Sequence, residues 1–176
     1  MLAGPSLADL LAYTAWERQQ WRDWLRQHGN AVLTISVGPH GDGRFATVGD
    51  VVRHIFSAEK RYVERVSGQP LSDTASIATD DIDALFRLGQ ESRTELTELL
   101  ASFPAEQWDA PKHFTILNHP VTATPKKIVV HVLIHEIRHW AQIATVLRVN
   151  GLVGKFHDFL MSPVMEGELD RGPGRV

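Results

Sequence analysis

Cysteine is absent from this 176-residue chain, which excludes disulfides, cysteine-ligated metals and a protein thiol nucleophile together. Any thiol chemistry must therefore bring its sulfur on a substrate. A basic excess is absent too. Lys and Arg number 18 against 21 Asp and Glu, a formal net charge of −3, so the electrostatic footprint of a nucleic-acid binder is missing. No apolar run reaches the roughly 20 residues of a membrane span. The opening Met1–Ser6 stretch has neither a basic region nor the apolar run of a secretory signal, and the cytoplasm is the expected location. Strand-type alternation is scarce. Only Val32–Val37 alternates, weakly, and it reads as a short strand or extended lining. Repeats and low-complexity tracts are lacking.

Helical signals fill most of what remains. A first helix is expected over Leu7–His28, opened by a Ser6/Asp9 capping pair and stopped at Gly29-Asn30. A second runs over Val48–Val66, with Thr47 and Asp50 as its capping box and Gly68 after its end. A third spans Asp80–Phe103, with acids in its first turn, which suits the helix dipole, and Pro104 at its stop. A fourth runs over Pro125–Val149, capped by Thr124, with Pro125 at the tolerated first position and Asn150-Gly151 as its end. Four such helices with little strand predict an all-α four-helix bundle. Its single domain covers residues 1–176, with a core over about 6–165 and a flexible polar tail over 166–176. The connections 29–46 and 104–123 are long, and loops of that length often carry function, here as a roof over a site.

The fourth helix is apolar on most sides, which predicts a central, buried helix. It nevertheless carries His131, His135, His139 and Gln142 along one stripe. Residues four apart sit one above the other on a helix, so His135 and His139 can close on one metal ion. Burying imidazoles without partners costs a few kcal/mol each, and a shared cation removes most of that cost. A third ligand must come from another element. His54 is the candidate, on the inward face of the second helix with Val51, Ala58 and Tyr62. His131 lies about 12 Å along the axis from His139, too far for one ion to take all three. His131, Gln142 and Tyr62 are therefore expected beside the ligands or lining a pocket. His28, His40, His113, His119 and His157 fall at helix ends or in loops, where histidine needs no special account.

His135-Glu136-Ile-Arg-His139 also spells the H-E-x-x-H signature of zincin peptidases, with Glu136 as general base. Its extended form fails, since Gln142 and Thr145 stand where a glycine and a third histidine belong.

Residues 6–165 as a whole resemble the DinB/YfiT-like metalloenzyme family. The resemblance rests on Leu10-Leu-Ala-Tyr-Thr-Ala-Trp16, on Ala46 to Tyr62 with His54 inside it, and on His131 to Ile143 followed by Leu147-Arg-Val-Asn-Gly151. It implies an up-down-down-up bundle, three histidine ligands mapping onto His54, His135 and His139, zinc or nickel as the ion, and a homodimer. The family often carries Arg-Gly-Gln after the last ligand, where this chain has Trp140-Ala141-Gln142, so a role for that arginine is in doubt.

Two chemistries follow from such a site. A thiolate from a low-molecular-weight thiol can attack an electrophile, which makes a thiol-dependent S-transferase acting on a small molecule. Alternatively, activated water attacks an amide or ester with Glu136 or Glu59 as base, which makes a hydrolase. A non-catalytic stress or binding module, with the ion joining helices two and four, is the third reading. His131, His157 or a loop carboxylate would then close the coordination. Trp140, Trp108 and Phe114 are candidate pocket lining, and Arg53, Arg61 and Arg138 are candidate pocket charges.

Overall fold

The computed structural model describes residues 4, 6–40, 43–154 and 158–166. Four long helices dominate it: α1 (Leu7–His28), α2 (Val48–Ser67), α3 (Ile82–Ser102) and α4 (Pro125–Val149). A small antiparallel sheet, β1 (Lys112–Ile116) and β2 (His119–Ala123), stands between α3 and α4. The all-α expectation leaves that sheet out.

Local chemistry sets the helix starts. Ser6 and Asp9 form a reciprocal capping box at α1, and Thr47 and Asp50 form another at α2. Each satisfies backbone donors that the first turn leaves without partners. Thr124 caps α4, with Pro125 directly after it. Asp81 caps α3, accepting from the amides of Asp83 and Ala84.

Packing partners run in order along the helices. On α2 and α3 they advance together: Phe56 meets Gly89 and Lys60 meets Glu95. On α1 and α3 they run oppositely, Arg26 pairing with Asp83 and Thr14 with Arg93. His54 and Tyr62 on α2 meet His139 and His131 on α4, again oppositely. Gly89 is required where α3 crosses α2, since a Cβ there would sit 2.9 Å from the Phe56 ring.

The core is split in two. One apolar cluster gathers Trp21, Leu25, Val52, Phe56, Leu85 and Trp140, and the other gathers Val63, Leu96, Leu99, Val132 and Leu133. Between them lies a layer of buried or half-buried polar side chains to which every helix contributes. Thr14, Glu17 and Arg18 come from α1, His54, Ser57 and Glu59 from α2, Ser92 and Arg93 from α3, and His135, Glu136 and His139 from α4. The two apolar ends hold the bundle together and fix the position of this middle layer.

Three local expectations are corrected. Val32–Val37 is not a strand. Asn30–Thr34 forms a 3-10 turn, and among the described residues the pairing nearby is an isolated bridge between Ser36 and Thr47. The 104–123 connection is not a plain loop, because it contains the hairpin. Its turn residues Leu117 and Asn118 both have positive φ, 47° and 64°, as a type I′ hairpin needs, yet Asn-Gly or Asp-Gly is the usual signal for such a turn. Finally, α4 is not buried all round, since Val130 and Ile134 are 41% and 55% exposed. His157 and the tail over 167–176 lie outside the described residues.

Candidate metal centre

Two turns of α4 and one of α2 bring three imidazoles together in the middle layer. His54 Nε2 lies 3.0 Å from His135 Nε2, and His139 Nε2 lies 3.1 Å from that same nitrogen. One candidate ligand atom from each of the three falls within 4.8 Å of the others. His135 and His139 are buried, while His54 sits at the border of the core.

Hydrogen bonding sets the tautomer of one ring. His139 Nδ1 donates to Gln142 Oε1 at 2.8 Å. An amide oxygen can only accept, so the hydrogen is on Nδ1 and Nε2 presents a lone pair, the form that ligates metals. Arg138 Nη2 approaches that lone pair at 3.1 Å. His135 Nε2 faces the other two Nε2 atoms and can carry hydrogen toward only one of them, so it cannot donate to both neighbours at once. Burial, with His139 and His54 beside it, pushes the His135 pKa down to about 2, which keeps the ring in its neutral, ligand-competent form. A divalent ion fits this donor set. Metal–nitrogen bonds of about 2.0–2.1 Å in a tetrahedral arrangement place nitrogens roughly 3.3 Å apart, close to the 3.0 and 3.1 Å that separate His135 Nε2 from the other two.

The other predicted residues take different places. Gln142 holds the His139 ring. His131 is exposed, with its ring 5.5 Å from that of His135 and 5.3 Å from that of Tyr62, and it is not among the clustered ligand atoms. Tyr62 is half-buried and also touches Phe114. Trp140 is core, stacked on Trp21 at 5.3 Å, and Trp108 packs on Phe103.

Glu136 is not brought to the histidines. It points from the other side of α4 into a buried ionic network. Arg18 grips it through Nε at 2.5 Å and Nη2 at 2.9 Å. Arg93 reaches it at 2.9 Å, and Trp140 Nε1 donates to it at 3.1 Å. Glu59 belongs to the same network, held by Arg18, Arg93 and the Ser92 hydroxyl. Burial pushes its carboxyl up, but the two arginines outweigh that and hold it below the ordinary range. This network went unread in the sequence. Its one signal was Arg18, a charge in phase with the inward-facing Trp21 and Leu25.

A cavity of about 630 Å³ opens beside His54, lined by Arg44, Phe45, Arg53, Ser57, Arg61 and residues 71–75 among others. One wall comes from within the predicted 29–46 roof and another from 71–75, while the 104–123 hairpin does not line it. Phe45 covers the histidines, its ring 4.6 Å from that of His54 and 5.9 Å from that of His139. No sequence signal marked that residue. Arg53 and Arg61 line the cavity, and Arg138 touches His139 instead.

Among known families, the model described as the DinB superfamily matches residues 38–143. That span contains all three clustered histidines. No curated protein matches the chain.

Proposed function

The chain belongs to the DinB superfamily, and on that premise we propose that it binds one zinc or nickel ion through His54, His135 and His139 and acts as a thiol-dependent S-transferase on a small molecule. The observation that carries this reading is the convergence of three imidazole Nε2 atoms from two helices, with His135 3.0 and 3.1 Å from the other two. A divalent ion held by neutral imidazoles keeps its full charge and lowers the pKa of a thiol or water brought to it. The absence of cysteine suits a thiol that arrives as cosubstrate. In the reaction the thiol sulfur bonds to an electrophilic carbon, its proton passes to solvent, and the leaving group departs with the electron pair.

The chain's own residues divide the remaining work. Gln142 orients the His139 ring, Phe45 shields His54 and His139 from water, and the cavity beside His54 admits the small molecule. An accessible cavity favours a reactive site over a closed structural one. The hydrolase and peptidase alternatives need a carboxylate base near the ion. Glu136 and Glu59 are both committed to Arg18 and Arg93, which weighs against them.

The up-down-down-up helix order belongs to the proposal too, supported by partners that advance together along α2 and α3 and run oppositely along α2 and α4. So does a homodimer, supported by the outward apolar stripe of Val130 and Ile134. No helix is long and apolar enough to cross a membrane. A cytoplasmic location without nucleic-acid partners is the remaining part of the reading.

Elemental analysis of untagged protein beside His54→Ala and His139→Ala tests the site. The expected result is about one equivalent of metal per chain, lost or sharply reduced in both variants. Folded wild-type protein that stays metal-free after incubation with zinc and with nickel overturns the proposal.

A further inference from the structure

The cavity beside His54 has a floor made by one face of α2. His54, Ser57 and Arg61 all line it and follow one another by three and four residues, the spacing of neighbours on one helix face. At about 1.5 Å of rise per residue, Ser57 lies roughly 4.5 Å and Arg61 roughly 10 Å along the axis from His54.

Ser57 carries the first clue. It is 7% exposed, and its hydroxyl has no hydrogen-bond partner among the described residues. Buried polar groups are nearly always paired, and one that is not calls for an explanation such as a missing ligand. Ser57 lines a cavity of about 630 Å³, within the 300–1,000 Å³ range usual for small-molecule pockets, and its hydroxyl is buried beneath that wall.

The charges of the cavity wall supply the second clue. Both carboxylates there are engaged. Asp50 accepts from the amide and hydroxyl of Thr47 and from Arg53, and Asp73 accepts from the Ala75 amide. Arg53 ties the opposite wall in place through the carbonyls of Ala75 and Ile77 at 3.0 and 3.1 Å. Arg61 is exposed at the rim, and its guanidinium makes no ion pair among the described residues. The cavity therefore presents a donor in its depth and an uncommitted cation at its mouth.

The geometry points to α2 as a ruler for a small organic anion, whose head reaches the ion at His54, whose middle accepts a hydrogen bond from Ser57, and whose carboxylate tail pairs with Arg61. This rests on the metal reading above and specifies the substrate class of the same site. It requires a metal-seeking head, a carbonyl about one helical turn along, and a negative charge about two turns along, where residues 54 and 61 are spaced by roughly 10 Å of helix axis.

Mercaptoacetyl-ω-amino acids of increasing chain length carry those three groups in that order, and their carboxamides lack only the charge. The test titrates zinc-loaded full-length protein with both series by calorimetry. The visible spectrum of cobalt-loaded protein reports whether sulfur joins the ion. Affinity for the acids is expected to peak at a sulfur-to-carboxylate reach of roughly 10 Å. Arg61→Gln should weaken the acids about tenfold and leave the carboxamides unchanged, since only a charged tail senses the guanidinium. Ser57→Ala should weaken both series about fivefold. It should not lower the melting temperature, because it removes a hydroxyl without a partner. Acids and carboxamides that bind alike, or variants that bind like wild type while sulfur still joins the ion, overturn the ruler and leave the metal site standing. Protein that takes up no metal at all overturns both.

Discussion

Two polar clusters lie back to back on α4, and the five residues from His135 to His139 feed both. On one side His135 and His139 meet His54 across α2. On the other side Glu136 meets Arg18 and Arg93. The ionic cluster is complete within the protein, each carboxylate oxygen of Glu136 facing a cation or an indole N–H. The histidine cluster instead turns three imidazole Nε2 atoms toward one another, His135 standing 3.0 and 3.1 Å from its two neighbours. A cluster that closes on itself stabilises a fold, whereas one left short of a positive charge calls for a ligand from outside. The same H-E-x-x-H letters that suggest a peptidase thus divide between a metal centre and a structural ion network. Helix phase is the reason, because adjacent residues are about 100° apart around the axis.

The largest effects should come from removing one member of each cluster. Glu136→Gln leaves two buried arginines short of a counter-charge and should lower stability by roughly 3–5 kcal/mol, while the folded fraction keeps its metal. His135→Ala should abolish metal binding and cost the metal-free protein far less stability than Glu136→Gln. Urea unfolding and elemental analysis on both variants check this. Loss of metal in folded Glu136→Gln would merge the two clusters into one functional unit.

A smaller effect should follow from the residue that orients a ligand without binding the ion. Gln142→Ala frees the His139 ring to rotate and should weaken metal affinity about 10–100-fold, read by competition with a chromophoric chelator. An unchanged affinity would show that packing alone orients the ring.

The smallest effect is a pH slope confined to the ionic side. Burial, with Glu136 nearby, pushes the Glu17 carboxyl from its ordinary 4.5 up to about 8. Between those values the folded chain holds a proton that the unfolded chain has lost, so the contribution of Glu17 to stability falls as pH rises through that window. The stability difference between wild type and Glu17→Gln should therefore drift against wild type from pH 5 to pH 8, by at most one proton's slope. A difference that does not change with pH would mean that Glu17 is ionised throughout.

Much of this was legible in the chain. Caps at Ser6, Thr47 and Thr124, with stops at Gly29 and Gly68, marked three helices because each residue type satisfies a local backbone need. The His135/His139 pair was legible because helical spacing alone puts two side chains on one face. The hairpin was hidden, since its Leu117-Asn118 turn lacks the glycine that usually marks positive φ. The exposed Val130 and Ile134 were hidden because a count of apolar residues does not say which face meets solvent.

The sequence by itself determined the helices, the absence of any protein thiol and the spacing of two ligands, all set by interactions within a few residues. Only the tertiary structure decided that His54 meets that pair, that Phe45 covers it, and that Glu136 serves Arg18 and Arg93 instead of the metal centre. Those facts join residues 43 to 118 positions apart. Only the packing of four helices around two apolar clusters brings such distant groups within bonding range.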